Sequence, residues 1–225
     1  MKKFFYFVIS SLIFAIANLS AQEINLDIAN LEPVNVFASS QKIDGEDVIR
    51  VVKDSAIIEF DEPTYVKIKD IDFGDGVIEV KVLSRLLPNA PNLSRGFIGL
   101  AFRINEDNSI FESIYIRPTN ARAENQIRRN HSIQYFAYPD YKFQRLRKES
   151  PEMYESYSDM SLNEWITLRI EVRGEKARLF INDHTQPTLI VNDLKLGSDI
   201  KGAIGLWVDV GTEGFFKCLK VHNGK

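Results

Sequence analysis

The sequence predicts an all-β protein whose antiparallel strands form two sheets packed into a β-sandwich or jelly roll. Three observations support this prediction. Short runs of alternating apolar and polar residues recur from Val48 onward, as expected for strands with one buried face. Gly, Asn and Asp separate these runs and are typical of turns. No stretch keeps the apolar period of a helix for more than about two turns, so helices are expected to be minor.

The amino-terminal segment reads as an export signal. Lys2 and Lys3 follow Met1, and the stretch from Phe4 to Ala17 is apolar apart from two serines, too short to span a bilayer comfortably. We therefore predict a signal peptide over residues 1–21, cleaved before Gln22, with a second candidate cleavage point at Ala17. No cysteine lies near this junction to carry a lipid. The expected product is periplasmic or secreted, with no stable membrane anchor in its mature form.

The remaining chain, residues 22–225, is predicted to form a single β-sandwich domain, because one core can serve a chain of this size. The 225 residues contain 28 Lys and Arg against 31 Asp and Glu, giving a net charge of −3. This charge and the predicted export argue against a nucleic-acid partner. Cys218 is the only cysteine and lies in an apolar segment, which predicts a buried and inert thiol.

Individual strands can be placed along the chain. Val77 to Val82 alternates after a Gly-Asp-Gly turn, and Trp165 to Val172 alternates up to Gly174. Ala177 to Ile181 and Thr188 to Val191 follow as further strands. Gly96 to Ile104 and Gly202 to Val210 are more continuously apolar, which indicates central strands covered on both faces. The segments 86–94 and 138–151 contain prolines and are predicted to be long loops.

Four stretches carry a resemblance to a known superfamily. They are Phe73-Gly-Asp-Gly-Val-Ile-Glu-Val80, Gly96-Phe-Ile-Gly-Leu-Ala-Phe-Arg103, Glu164-Trp-Ile-Thr-Leu-Arg-Ile-Glu-Val172 running on to Leu179-Phe-Ile-Asn182, and Gly202-Ala-Ile-Gly-Leu-Trp207. In this order they resemble the concanavalin A-like lectin and glucanase superfamily, particularly its laminin-G-like and 3-keto-disaccharide hydrolase-like branches. The resemblance implies a β-sandwich and a carbohydrate partner.

The sequence also departs from the enzymes of that superfamily. The hydrolase-like branch has an Asn-Ser-Gly run before its Phe-Arg and a Gly-Tyr-Glu after it, where this chain has Phe97-Ile-Gly-Leu-Ala and Ile110-Phe-Glu. The glucanases have a Glu-x-Asp-x-x-Glu run that supplies their acid and nucleophile, and this sequence contains none. Retaining glucanase activity is therefore not expected.

The segment from Glu112 to Arg147 is the candidate functional region, because it concentrates arginines in an acidic protein. These are Arg117, Arg122, Arg128, Arg129, Arg145 and Arg147. Arginine forks bind carboxylate or sulfate, aromatic faces stack on sugar rings and amides bond hydroxyls, so the composition suits an anionic or highly hydroxylated glycan. The candidate substrate-binding residues are Arg103, Glu112, Tyr115, Arg117, Arg128, Asn130 and Gln134, and the candidate catalytic residues are His131 and Tyr135.

Strand alternation places some of these residues together. In Ser113 to Arg117, Tyr115 and Arg117 share one face. In the next strand, His131 and Tyr135 are predicted to share a face opposite to that of Gln134. If the region is a binding site, Tyr115, Arg117, Arg128 and His131 should line a single cleft. The competing interpretation is that the arginines pair with nearby carboxylates and only fasten a long loop to the sheet.

The sequence leaves several functions open. We favour glycan binding over catalysis. An enzyme, either a 3-keto-disaccharide hydrolase-like hydrolase or a polysaccharide lyase, is the second hypothesis, with His131 or Tyr135 as base. A structural or partner-binding module is the third, and it predicts an exposed apolar patch. No cofactor is expected. Calcium has a weak signal in Asn105, Asp107 and Asn108, although these residues also suit a hairpin turn.

Overall fold

The computed structural model describes residues 22–224, so the predicted signal peptide lies outside the described residues. Two antiparallel β-sheets pack face to face, which confirms the predicted fold class. No helix within the described range is long and apolar enough to cross a membrane.

One sheet has eight strands, numbered here along the chain. They are β1 (Gln22–Glu23), β3 (Val36–Ile43), β4 (Glu46–Lys53), β6 (Gly76–Leu86), β11 (Ile166–Arg173), β12 (Lys176–Ile181), β13 (Leu189–Val191) and β15 (Thr212–Asn223). Their order is β13-β12-β11-β6-β15-β4-β3, and β1 pairs with the last part of β15.

The other sheet has seven strands. They are β2 (Leu31–Val34), β5 (Tyr65–Ile68), β7 (Ile98–Ile104), β8 (Phe111–Ile116), β9 (Ile133–Tyr138), β10 (Glu155–Ser156) and β14 (Ala203–Val208). Their order is β10-β9-β8-β7-β14-β5-β2. The helices are short: a 3-10 turn (Ile28–Asn30), α1 (Pro118–Ala121), α2 (Gln126–Asn130) and α3 (Phe143–Glu149).

The core lies between the two sheets and follows from strand alternation. In β6, Ile78, Val80 and Val82 point inward and are fully buried, while Glu79 and Lys81 point outward. Side chains of β7, β8 and β14 meet them in one continuous hydrophobic cluster. Each fully buried aliphatic side chain contributes about 1.5–3 kcal/mol through removal from water.

Turn chemistry fixes the register of the hairpin between β3 and β4. Asp44 and Gly45 both have positive φ, 52° and 83°. This is the combination that a tight two-residue hairpin turn requires, and Asp-Gly is among its preferred sequences.

A β-bulge in β15 explains one wrong prediction. The register of β15 against β6 shifts between Lys217 and Lys220, and Cys218 has a φ of 54°. Without the bulge, Cys218 would follow Phe216 onto the core face. The extra residue instead places Leu219 in the core and leaves Cys218 exposed. The predicted buried thiol is therefore exposed, because a bulge interrupts the alternation on which the prediction depended.

The outer face of the seven-stranded sheet is covered by a second apolar layer of aromatic rings. Tyr65, Phe111, Tyr115, Phe136 and Trp207 all lie on this face and are at most 1% exposed. Successive ring centroids lie 4.7–5.8 Å apart. Gly99 lies beneath Tyr115, and a Cβ there would be 2.5 Å from the Tyr115 Cα. Only glycine therefore allows this approach.

Helix α3 covers part of the aromatic layer. It lies within the segment 138–151, which the sequence predicts to be a loop, and it is too short for its apolar period to be visible. Leu146 is its buried residue. Lys142 provides no side-chain cap, and the backbone N–H of Phe143 instead donates to the Asp61 carboxylate at 2.7 Å. A residue distant in sequence thus accepts the hydrogen bond of a backbone N–H that has no partner within the helix.

Candidate functional site

A cleft of about 250 Å³ opens at the edge of the aromatic layer, beside α2 and α3. Its walls contain four arginines (Arg95, Arg117, Arg128 and Arg147) and four aromatic rings (Phe60, Phe97, Tyr115 and Phe143). Leu93, Asn120 and His131 complete the lining. The sequence analysis predicted that a binding site would bring four residues into a single cleft. The structure places all four in this one: Tyr115, Arg117, Arg128 and His131.

Arg117 is the fixed point of this cleft. Its side chain is 5% exposed, and its guanidinium donates to the Tyr115 hydroxyl at 2.6 Å, to Gln134 Oε1 at 3.1 Å and to Glu155 Oε1 at 3.1 Å. Burial alone would lower the pKa of Arg117, but the neighbouring Tyr115 and Glu155 raise it overall. Arg117 is therefore a permanent cation held in one orientation.

Glu155 balances part of the positive charge. It accepts from Arg117 and from Arg147, whose Nε lies 3.0 Å from Oε2. Burial opposes its ionisation, but the hydrogen bond from Arg147 and the charges of both arginines lower the pKa of Glu155 below its usual value. Its carboxylate is ionised at neutral pH.

Arg95 and Arg128 form no ion pair with any residue from 22 to 224. Arg128 donates to Asn120 Oδ1 at 3.2 Å and Arg95 to the carbonyls of Asn92 and Ser94 at 2.6 and 2.7 Å. Burial, with the charges of Arg128 and Arg117, lowers the pKa of Arg95. The cleft thus keeps an excess of positive charge that the described part of the protein does not neutralise.

His131 lies at one end of the cleft. Its side chain is 16% exposed, and Nε2 is 3.3 Å from Glu155 Oε2. Burial lowers the pKa of His131 despite the nearby carboxylate, so the imidazole is neutral at pH 7. His131 is the C-cap of α2 and precedes β9, so it does not continue the strand alternation. The expectation that it shares a face with Tyr135 is wrong for this reason.

Three predicted site residues lie elsewhere, in a buried polar cluster. Arg103, Glu112 and Tyr135 are each 0% exposed. The Tyr135 hydroxyl donates to Glu112 Oε1 at 2.9 Å, and Arg103 Nη1 donates to Glu112 Oε2 at 3.2 Å. Burial raises the pKa of Tyr135 well above its usual value. None of the three lines the cleft, so none is placed to touch a ligand there.

Arg103 holds several loops together, a structural role that its neighbours in the sequence do not indicate. Its guanidinium also donates to the carbonyls of Gly74, Gly174 and Gly197 at 3.1, 2.8 and 3.0 Å and to Asp75 at 3.2 Å. It therefore joins three loops at one end of the sandwich. The competing interpretation, that the arginines of residues 112–147 pair with carboxylates, holds for Arg117, Arg122, Arg145 and Arg147. It does not hold for Arg128 and Arg129, which form no ion pair within residues 22–224.

The last two predicted residues lie close to the cleft without lining it. Gln134 is fully buried beneath it and accepts from Arg117. Asn130 is exposed on α2 and lines a neighbouring pocket instead. Gln134 therefore positions Arg117, while Asn130 is available on the surface.

The sequence reasoning missed several cleft residues. Arg95, Phe97 and Phe60 come from two segments far from the arginine-rich region, and Phe143 comes from the unpredicted helix α3. The one feature of the sequence that pointed to Arg95 is its position directly before Gly96, where a strand is predicted to begin. No local pattern indicates that its loop folds against α2.

Other concavities have different chemistry. One has about 680 Å³, lies beside Cys218 and contains Lys217 paired with Glu46. Another, of about 550 Å³, is mainly apolar and includes the exposed Ile58. A third, of about 520 Å³, has no aromatic ring and is lined by Glu171, Arg173, Lys176 and Arg178. The cleft is the stronger candidate for a sugar, because it alone among these four combines aromatic rings with unpaired cations.

No metal site is evident between residues 22 and 224, since no group of three or more His, Cys, Asp or Glu side chains is suitably placed. In the turn considered for calcium, the side-chain oxygens are hydrogen-bonded within the protein. Asn105 Oδ1 accepts from Ile110, Asp107 Oδ1 from Ser109 and Asn108 Oδ1 from Tyr65 and Lys67.

Comparison with known proteins shows the fold. No family model and no curated protein matches the chain. Among solved structures, carbohydrate-binding module CBM66 from Bacillus subtilis has a TM-score of 0.57 at 15% identity, covering 85% of this chain and 95% of its own. A Parabacteroides distasonis protein provisionally described as a glycosyl hydrolase has a TM-score of 0.53 at 11% identity, with coverages of 88% and 90%.

A protein of unknown function with a galectin-like fold, also from Bacillus subtilis, has a TM-score of 0.50 at 10% identity, covering 87% of this chain and 90% of that one. The chain therefore has a β-sandwich fold of the type found in carbohydrate-binding modules and galectin-like proteins. This agrees with the predicted resemblance to concanavalin A-like proteins, while the laminin-G-like and hydrolase-like branches stay predictions.

Proposed function

We propose that the protein binds a glycan through the arginine cleft, and that the sugar placed there carries a carboxylate or sulfate. The observation that supports this most directly is the presence of Arg95 and Arg128 in a ring-lined cleft with no carboxylate partner in the described chain. An anionic group would supply the missing counter-charge, and guanidinium forks suit its geometry.

Besides its unpaired arginines, the cleft has aromatic rings, an amide and a guanidinium held in one orientation, all of which suit a sugar. Phe97 and Phe143 offer apolar surface for the ring of a sugar, and Asn120 offers an amide for hydroxyls. Arg117 needs no reordering on binding, because Tyr115, Gln134 and Glu155 already hold it. Preorganisation of this kind reduces the entropy lost when a ligand binds.

The structural neighbours support a carbohydrate partner in general terms. One neighbour is named as a carbohydrate-binding module and another as a glycosyl hydrolase on a provisional basis. At 15% and 11% identity they inform only the fold, so the choice of an acidic sugar rests on the cleft itself.

Calorimetric titration with methyl glucuronide, a sulfated monosaccharide and neutral methyl glucoside tests this proposal. We expect at least one acidic sugar to bind and the neutral one not to. Arg128→Ala should weaken binding about tenfold or more, because charged hydrogen bonds contribute about 1.5–3 kcal/mol. Arg122→Ala is the matched control, since Arg122 pairs with Asp159 on the surface. Equal binding by both variants, or no binding of any acidic sugar, would refute the proposal.

A second candidate function is catalysis on such a glycan, either by a 3-keto-disaccharide hydrolase-like enzyme or by a polysaccharide lyase. The observation in its favour is that His131 is neutral and lies in the same cleft as four arginines. A neutral imidazole can accept a proton while an arginine stabilises a uronate carboxylate. Ultraviolet absorbance from unsaturated products, lost in His131→Ala, would reveal a lyase. Tyr135 is not part of this hypothesis, because it is buried away from the cleft.

The proposed setting is outside the cytoplasm, in the periplasm or as a secreted protein, because the first 21 residues have the charge and apolar pattern of a signal peptide. Expression with and without these residues, followed by amino-terminal sequencing of the exported product, tests this. A mature chain beginning near Gln22 is the expected result.

A further inference from the structure

His131 is shared between the cleft and a second pocket of about 260 Å³. The second pocket lies beside β10, at the edge of the seven-stranded sheet. The side chains that line it with His131 are Asn130, Glu152, Glu155, Ser156 and Tyr157. Because one imidazole forms part of both walls, a ligand longer than one sugar unit can occupy both spaces by passing over His131.

The two spaces differ in charge. Arginines line the first, whereas the second has no lysine or arginine in its lining and contains two carboxylates, Glu152 and Glu155. Glu155 is paired with Arg117 and Arg147, whereas Glu152 forms no ion pair within residues 22–224. The uncompensated charge of Glu152 would disfavour a second anionic group, while hydroxyl groups of a sugar could donate to its carboxylate.

Tyr157 gives the second pocket a surface for stacking. Tyr157 is 40% exposed. Arg129 donates to the Tyr157 hydroxyl at 3.1 Å, and its guanidinium lies 5.4 Å from the ring centroid. One neighbour thus holds the ring in place while much of its surface stays open, as a sugar platform requires.

From these contacts we infer that the cleft and the second pocket form one groove with two subsites joined at His131, for a glycan in which an acidic sugar is followed by a neutral one. This inference rests on the proposed function, since it takes the arginine cleft as the acidic subsite. It adds a second site, the preference of that site for an uncharged unit, and a length of at least two sugars for a ligand that fills both subsites.

The test uses three ligands with the full mature chain: methyl glucuronide, a tetrasaccharide of alternating glucuronate and N-acetylglucosamine, and a tetrasaccharide of galacturonate only. The alternating tetrasaccharide should bind more tightly than the monosaccharide and than the all-acidic chain of the same length. Tyr157→Ala should weaken its binding about tenfold, since an aromatic contact contributes about 0.5–1.5 kcal/mol beyond the area that it buries. Binding of methyl glucuronide should not change.

Two further variants separate the effect of the Tyr157 ring from that of the Glu152 carboxylate. Tyr157→Phe keeps the ring and should bind the alternating tetrasaccharide almost as well as the wild type. Glu152→Gln removes a carboxylate and should narrow the difference between the alternating and all-acidic tetrasaccharides.

The two proposals fail in different ways. If methyl glucuronide binds but Tyr157→Ala leaves tetrasaccharide affinity unchanged, or if both tetrasaccharides bind equally, the second subsite is refuted and the acidic cleft stands. If no acidic sugar binds, the proposed function itself is wrong.

Discussion

The carboxylate of Asp61 accepts the backbone N–H of Phe143 at 2.7 Å and thereby holds the first turn of α3 against the aromatic layer. Asp61 is 1% exposed, and its Oδ1 has no hydrogen-bond partner in the described structure. Burial raises the pKa of Asp61 to about 7, and the neighbouring Asp209 contributes in the same direction. The first turn of α3, which covers part of the aromatic layer, is therefore hydrogen-bonded to a carboxyl group that titrates near neutral pH.

This position predicts a pH dependence of stability. An unfolded aspartate has a pKa of about 3.9, so between about pH 4 and pH 7 the folded protein binds more protons at Asp61 than the unfolded chain does. The free energy of unfolding should therefore fall as pH rises through this range. In Asp61→Asn, an uncharged side chain can still accept from Phe143, and the slope should be smaller.

Urea unfolding of both proteins from about pH 5 to about pH 8 measures this difference. Asp140→Asn, which changes an exposed carboxylate, is the control. Burial also raises the pKa of the neighbouring Asp209, so some slope should remain in the Asp61 variant. Parallel wild-type and Asp61→Asn profiles would show that Asp61 does not titrate as described.

Arg103 should matter for stability and not for binding. Arg103→Ala leaves Glu112 buried without its cation and removes the donor for three carbonyls. Loss of one partner from a buried ion pair costs about 3–5 kcal/mol.

Arg178→Ala, on the exposed face of β12, is the control and should change the free energy of unfolding by less than about 0.5 kcal/mol. If Arg103→Ala does not accumulate, Arg103→Lys should still be strongly destabilised, because it cannot make all five contacts. An Arg103 variant as stable as Arg178→Ala would contradict this role.

Glu155→Gln should destabilise the protein at neutral pH by about 3 kcal/mol, because Arg117 loses its buried carboxylate. The folded-state pKa of Glu155 is lowered, so the stability that its ionisation contributes is present above the unfolded pKa and lost as pH falls through the folded one. The gap between wild type and variant should therefore narrow in acid. Glu149→Gln is the control, since Glu149 forms an exposed pair with Arg145. A gap independent of pH would argue against ionisation of Glu155.

Cys218 should react with a thiol reagent in the native state. The bulge in β15 leaves it exposed, so Ellman's reagent should modify one thiol per chain without denaturant. A thiol that reacts only after unfolding would place Cys218 back in the core.

The sandwich was predictable from the sequence because alternation is uninterrupted in β11 and over Val77 to Val82 of β6, and turn residues flank these runs. The cleft was only partly predictable. Tyr115 and Arg117 share a strand face by simple alternation, whereas His131 precedes its strand and Arg95 arrives from a distant loop. Arg103 and Glu112 have the same residue types as a binding site, and only their burial distinguishes them from one.

The aromatic layer under α3 has a consequence for how such a protein could diversify. The inward-facing side chains of both sheets pack against one another on the opposite side from that layer, and Leu146 of α3 joins the same hydrophobic cluster from the outer side. A change in the segment between β9 and β10 would therefore act first on the cover of the aromatic layer and on the cleft, to which this segment contributes Phe143 and Arg147. A shorter segment would uncover part of the aromatic layer, whereas the present one leaves an opening beside the arginines. The range of ligands admitted would then depend on this segment and not on the two sheets beneath it.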